Sequence, residues 1–136
     1  MYFYLEIPVR KDEADFLLEE AGSWCHRNKI SPKIGFSIRL AIEALTFQAI
    51  KRSDMQPGNF TLKVRMRKED DFVRIIFSDN TPMFNPLEIT EKEIAFPMVN
   101  RDNGGVEIGL IQKIMDEMYY DYQNNKNIIH MIKLLD

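Results

Sequence analysis

The stretch RDNGGVEIGLI, residues 101–111, places Gly104 and Gly105 ahead of an apolar run with helical spacing. Glycines at the start of a helix let its free N–H groups approach a phosphate closely, and the helix dipole favours the anion there. Glu107 stands in the same first turn. A carboxylate about 4 Å from a phosphate oxygen, at an effective dielectric near 20, costs about 4 kcal/mol per charge pair, or about three factors of ten in affinity. The same carboxylate favourably caps an empty helix terminus. Three readings are therefore open: a nucleotide site, a nucleotide site that has lost its ligand, and a glycine-rich start to a helix. Asp79 closes an apolar strand in FSDNTP, where it can accept a hydrogen bond from a ligand or simply form a turn. His26 and His130 have no second ligand at a suitable spacing, so neither is assigned to a metal. Cys25 has no facing histidine and reads as a packed core thiol, and the eight methionines as core filler.

The elements that must hold these residues follow from apolar periodicity. YFYLEIPV is aromatic and β-branched, a strand ending near Pro8. From Asp12 to about Lys29, Leu17, Ala21, Trp24 and Cys25 form one helical stripe. Ser31 followed by Pro32 is a helix start, a serine cap with proline at the first helical position. Ile38, Ala41, Ile42, Leu45 and Ala49 then make an apolar stripe that Phe36, Leu40 and Phe47 widen, so this helix is expected to be largely buried. NFTLKVRMRK alternates with period two, its basic residues forming a strand's solvated face. DFVRIIFSD is nearly continuous and reads as more central, with KEDD as the hairpin tip between the two. Residues 79–104 contain three prolines and no clean period, a long loop with one short helix. A helix from about Val106 to Met118 is expected next, then strands YYDYQ and NIIHMIKLL joined by an NNK turn.

At 136 residues, 45% hydrophobic and 29% charged, the chain suits one two-layer domain spanning 1–136. A net charge of −3 argues against a nucleic-acid surface. A lone cysteine excludes an internal disulfide and fits a reducing cytoplasm. No apolar run approaches the roughly 18 residues of a membrane span, and the N-terminus has no signal-peptide pattern, so neither a membrane nor an export route is expected. Helices packed on one face of a mixed, mostly antiparallel sheet are the expected architecture.

Three segments resemble, in order, the histidine-kinase-like (GHKL, Bergerat-fold) ATPases, and in particular the small anti-sigma-factor serine kinases of bacterial stress and sporulation control. LAIEALTFQAIKRS is similar to their long helix, where a glutamate and an asparagine lie four residues apart. FSDNTPMFNPLE is similar to their strand-end aspartate loop, and GGVEIGLIQKIMDEMYYDYQNNKNIIHMIK to their glycine-rich loop, last helix and closing hairpin. The resemblance implies an α/β two-layer sandwich, an ATP site with Mg²⁺, a homodimer, and a sigma factor or antagonist-type regulator as partner. In such a site the helix asparagine offers an oxygen to Mg²⁺, the glutamate acts as general base, and the aspartate accepts from the adenine amino group.

Each of those positions is altered. Aligned through AIEALTFQAI, the metal position holds Gln48 and the base position Ala44, while Glu43 lies one step, about 100°, around the helix. Asp79 matches the adenine aspartate, but Thr81 replaces the glycine after it; Gly104 and Gly105 match the last loop, but Glu107 replaces its second key glycine. Nucleotide binding, if retained, falls to Gln48, Asp79, Thr81, Gly104, Gly105 and Glu107, with Gln48 as the metal ligand. Loss of a positioned base costs about 10²–10⁴-fold in rate, so a regulator acting by protein binding is expected, with weak or no ATP–Mg²⁺ affinity that Glu107→Gly plus Gln48→Asn strengthens. An active serine/threonine kinase and a nucleotide sensor without hydrolysis are the alternatives.

Overall fold

A computed structural model describes residues 1–88 and 105–136. The elements run β1 (Tyr2–Pro8), α1 (Lys11–Arg27), α2 (Pro32–Ser53), β2 (Thr61–Lys68), β3 (Phe72–Asp79), a 3₁₀ turn (Pro86–Glu88), α3 (Gly105–Ile114), β4 (Glu117–Gln123) and β5 (Lys126–Leu134). The strands form one sheet in the order β1-β2-β3-β5-β4, and the helices share a single core with its inward face. This is the expected α/β two-layer sandwich. Among the described residues the sheet is not mixed, however, because all four pairings are antiparallel. β3 and β4 do run in the same direction, as a helical crossover allows, but the β4–β5 hairpin inserts β5 between them.

Local chemistry accounts for the joints. The Ser31 hydroxyl accepts from the N–H of Ile34 at 3.3 Å and Pro32 opens α2, as expected. Just before it, Lys29 takes a left-handed conformation (φ 59°) where glycine is usual. Its N–H reaches the carbonyl of His26 and that of Ile30 the carbonyl of Cys25, a Schellman end to α1 that tucks Ile30 into the core. Asn124 (φ 54°) and Asn125 (φ 62°) supply the two positive φ angles that a tight β4–β5 hairpin needs.

Ile38, Ala41, Ile42, Leu45 and Ala49 are buried as their spacing demands. Phe36 and Phe47 are not: they are 67% and 44% exposed. Each stands two positions, about 200°, from a core residue of the stripe, which turns it to solvent. Leu40 is half-buried against the core. The last helix also stops earlier than its sequence period suggests. The N–H of Met115 still reaches the carbonyl of Ile111 at 3.0 Å, but that of Asp116 reaches Ile132 at 2.9 Å, so the sheet captures the chain and Met118 becomes a strand residue opposite Met131. Among the described residues no helix is long and apolar enough to cross a membrane.

Candidate functional site

Ala44, Gln48 and Arg52 follow one another at four-residue steps on α2, and all three are buried. Four residues advance a helix by slightly more than a turn, so they form one slowly drifting stripe. Glu43 is exposed, which removes the neighbouring carboxylate from that stripe. Strand parity brings the other half of the site. Leu62, Val64, Val73, Ile75 and Phe77 point into the core, and the same alternation turns Asp79 inward at the end of β3. The β3–β5 register places Asn127 directly opposite it.

Asp79 is 3% exposed, and its carboxylate is held by donors from within the chain. Nη2 of Arg52 donates to Oδ2 at 3.1 Å. Oδ1 accepts from the Thr81 N–H at 3.0 Å, from the Thr81 hydroxyl, and from Nδ2 of Asn127 at 3.0 Å. That makes four donors, three of them on Oδ1 and one on Oδ2. Thr81 in turn accepts from Nε of Arg52 at 2.9 Å. Asn127 also donates to the carbonyls of Thr81 and Pro82, while its Oδ1 accepts from the N–H of Phe84 at 2.8 Å and the Tyr120 hydroxyl at 2.7 Å. The Phe84 ring lies 4.5 Å from the guanidinium, a cation–π contact that covers it.

Burial pulls the Arg52 guanidinium below its ordinary pKa, while Asp79 pulls it back up. It remains charged, since arginine does not deprotonate in proteins. Burial likewise raises the Tyr120 phenol. A buried ion pair stabilises only when its desolvation is offset by geometry and by further hydrogen bonds, and here Thr81 and Asn127 supply those bonds. Among the described residues, Nη1 of Arg52 and the Thr46 hydroxyl have no hydrogen-bond partner.

The structure therefore brings Asp79 and Thr81 together and sets Gln48 one turn from the arginine that touches both. Gly105 is the first residue of α3, whereas Gly104 and the side chain of Glu107 lie outside the described residues. Ala44 offers no proton chemistry. Arg52 and Asn127 are the residues that the sequence reading missed. The available signals were the four-residue step from Gln48 to Arg52 and an asparagine at the mouth of an apolar strand. Among the described residues, no cluster of three or more His, Cys, Asp or Glu side chains could hold a metal. His130 stacks on Tyr119 at 4.5 Å on the opposite face of the sheet, and Cys25 is buried, its thiol pushed up to about 11 by desolvation.

The sequence model of the histidine kinase-like ATPase domain matches residues 7–133 of this chain. A search among curated proteins finds no match. With nearly its whole length matched, the chain belongs to the histidine kinase-like ATPase domain family.

Proposed function

We propose that this histidine kinase-like ATPase domain works as a regulator that docks another protein, and that its nucleotide site no longer supports phosphotransfer. The partner suggested by the resemblance to anti-sigma-factor kinases is a sigma factor or an antagonist-type regulator in bacterial signalling. One observation carries the reading: the carboxylate that would accept the adenine amino group already holds four donors of its own chain, one of them a guanidinium. An adenine would have to share Oδ2 with a guanidinium or displace it, and displacement leaves an uncompensated buried cation behind. Ala44 at the base position and an exposed Glu43 support the same reading for chemistry. ATP and Mg²⁺ therefore fit the described residues poorly.

Calorimetric titration with ATP–Mg²⁺ tests this. The expected result is no binding tighter than millimolar. Substituting Glu107→Gly and Gln48→Asn alone is now expected to be insufficient, because Arg52 still occupies Asp79; adding Arg52→Ala should be needed before affinity appears. Micromolar binding by the unaltered protein, or stoichiometric phosphoserine on an antagonist-type domain incubated with labelled ATP and Mg²⁺, would overturn the reading.

A further inference from the structure

The face of the sheet turned away from the helices carries a second arrangement of arginines. Directly opposed residues across β1, β2 and β3 share this face. Tyr2 stands opposite Arg67, which stands opposite Arg74; Tyr4 stands opposite Arg65, which stands opposite Ile76. Like charges directly opposed across a ladder are destabilising, so the Arg67–Arg74 pair is placed against the stability of the fold. Tyr2, Arg65, Met66, Arg67, Arg74 and Ile76 line one surface cavity of about 180 Å³. Among the described residues the ion pair within this group is Arg67–Glu69 at 2.9 Å, on an arginine side chain that stays 68% exposed. Tyr2 and Tyr4 beside it are 58% and 51% exposed.

We propose that this face docks a carboxylate-rich segment of a protein partner, with Arg65, Arg67 and Arg74 holding its carboxylates and Tyr2 and Tyr4 packing on its apolar groups. The inference rests on the docking role proposed above and names the surface and the partner's chemistry. Guanidinium forks match carboxylates in two-point contact, and tyrosine and arginine are the residues that anchor protein interfaces. A nucleic-acid strand is the poorer fit. It needs unopposed cations spaced along a backbone track, whereas Arg65, Arg67 and Arg74 converge on one cavity and Lys63, next along β2, stands opposite Glu6, with Glu117 and Asp121 on the far edge strand.

The test is an NMR titration of the ¹⁵N-labelled full chain with a short synthetic peptide carrying two adjacent glutamates flanked by leucines. A thymidine hexanucleotide and inorganic phosphate are run in parallel. Peptide-induced shifts should concentrate on the amides of β1–β3 and the Nε–H groups of the three arginines. Arg65→Glu with Arg74→Glu should weaken binding about tenfold or more, and Arg65→Gln with Arg74→Gln should weaken it less, while Arg39→Glu on exposed α2 should leave it unchanged. The inference is overturned by absence of shifts, by shifts spread equally over Lys29, Lys33 and Arg39, by tighter hexanucleotide binding, or by phosphate alone reproducing the peptide's effect. Those outcomes leave the calorimetric test of the nucleotide site untouched, so the two readings fail separately.

Discussion

Arg52 and Arg74 carry the same group into opposite surroundings. Arg52 is 8% exposed, held by Asp79 and Thr81 and roofed by Phe84. Arg74 stands exposed across from another arginine, resting 5.8 Å from the Phe72 ring. The first region pairs its carboxylate and guanidinium with each other, leaving Nη1 of Arg52 without a hydrogen-bond partner among the described residues. The second leaves cationic charge unbalanced on a face lined with tyrosines. Under the proposed function the Asp79 cluster is the closed region, and the back of the sheet is the open one.

The sharpest way to break this contrast is to remove Asp79. Asp79→Ala strands the Arg52 cation in the interior and should cost about 3–5 kcal/mol, read from urea denaturation midpoints at constant slope. Replacing the pair together, Arg52→Met with Asp79→Leu, should recover most of that loss. A cost below 1 kcal/mol for Asp79→Ala alone, on the order expected of an exposed pair, would show that the cluster is loosely held. Next in size is Asn127→Ala. It deprives the Phe84 N–H and the Tyr120 hydroxyl of their acceptor and Asp79 of a donor, a loss of about 1–3 kcal/mol.

The open face should respond with the opposite sign. Arg74→Glu turns a like-charge cross-strand pair with Arg67 into an attractive one and should stabilise the fold by about 0.2–1 kcal/mol. Destabilisation in the same denaturation assay would mean that Arg74 has a structural role in the free protein. The smallest effect is a titration. His130 is held below its ordinary value by burial first and then by Arg74, with Arg65 adding to this and Asp121 opposing it. The unfolded chain therefore binds that proton more readily. The stability this histidine contributes is complete above its unfolded value of about 6.5 and is lost as the pH falls through the lower folded value. Arg74→Glu should move the imidazole titration upward in an NMR pH series, and an unchanged value would mean that Arg74 does not act on it.

Much of this architecture was legible from period and punctuation. Alternation in LKVRM, the stripe on α2 and the Ser31–Pro32 start describe local preferences, and tertiary structure agrees with them. Asp79 and Thr81 were singled out only through the resemblance of FSDNTPMFNPLE to the family's aspartate loop, since an aspartate at a strand end is by itself an ordinary turn former. Arg52 was hidden, because beside Lys51 at the end of a helix it has the look of an ordinary cation facing the negative end of the helix dipole. Its inward role depends on an aspartate 27 residues away. Asn127 was legible as the first residue of the last strand, but its partner Asp79 was not, because that pairing depends on the β3–β5 register. The overlong final helix has the same origin, because pairing with β5 overrides a local period that continues past Met115.

The alternation of the sheet has a consequence for how this protein can change over evolutionary time. Asp79 faces the core and Ser78 the outside only because the three-residue tip between Lys68 and Phe72 sets the β2–β3 register. A one-residue insertion that slipped that register would exchange the faces of a whole strand at once, sending Arg74 inward and Asp79 outward. The two regions are thus locked to a common parity. Point substitutions can tune either of them alone, but insertions and deletions in this hairpin strike both together, so a lineage carrying this domain should accept changes of residue here far more readily than changes of length.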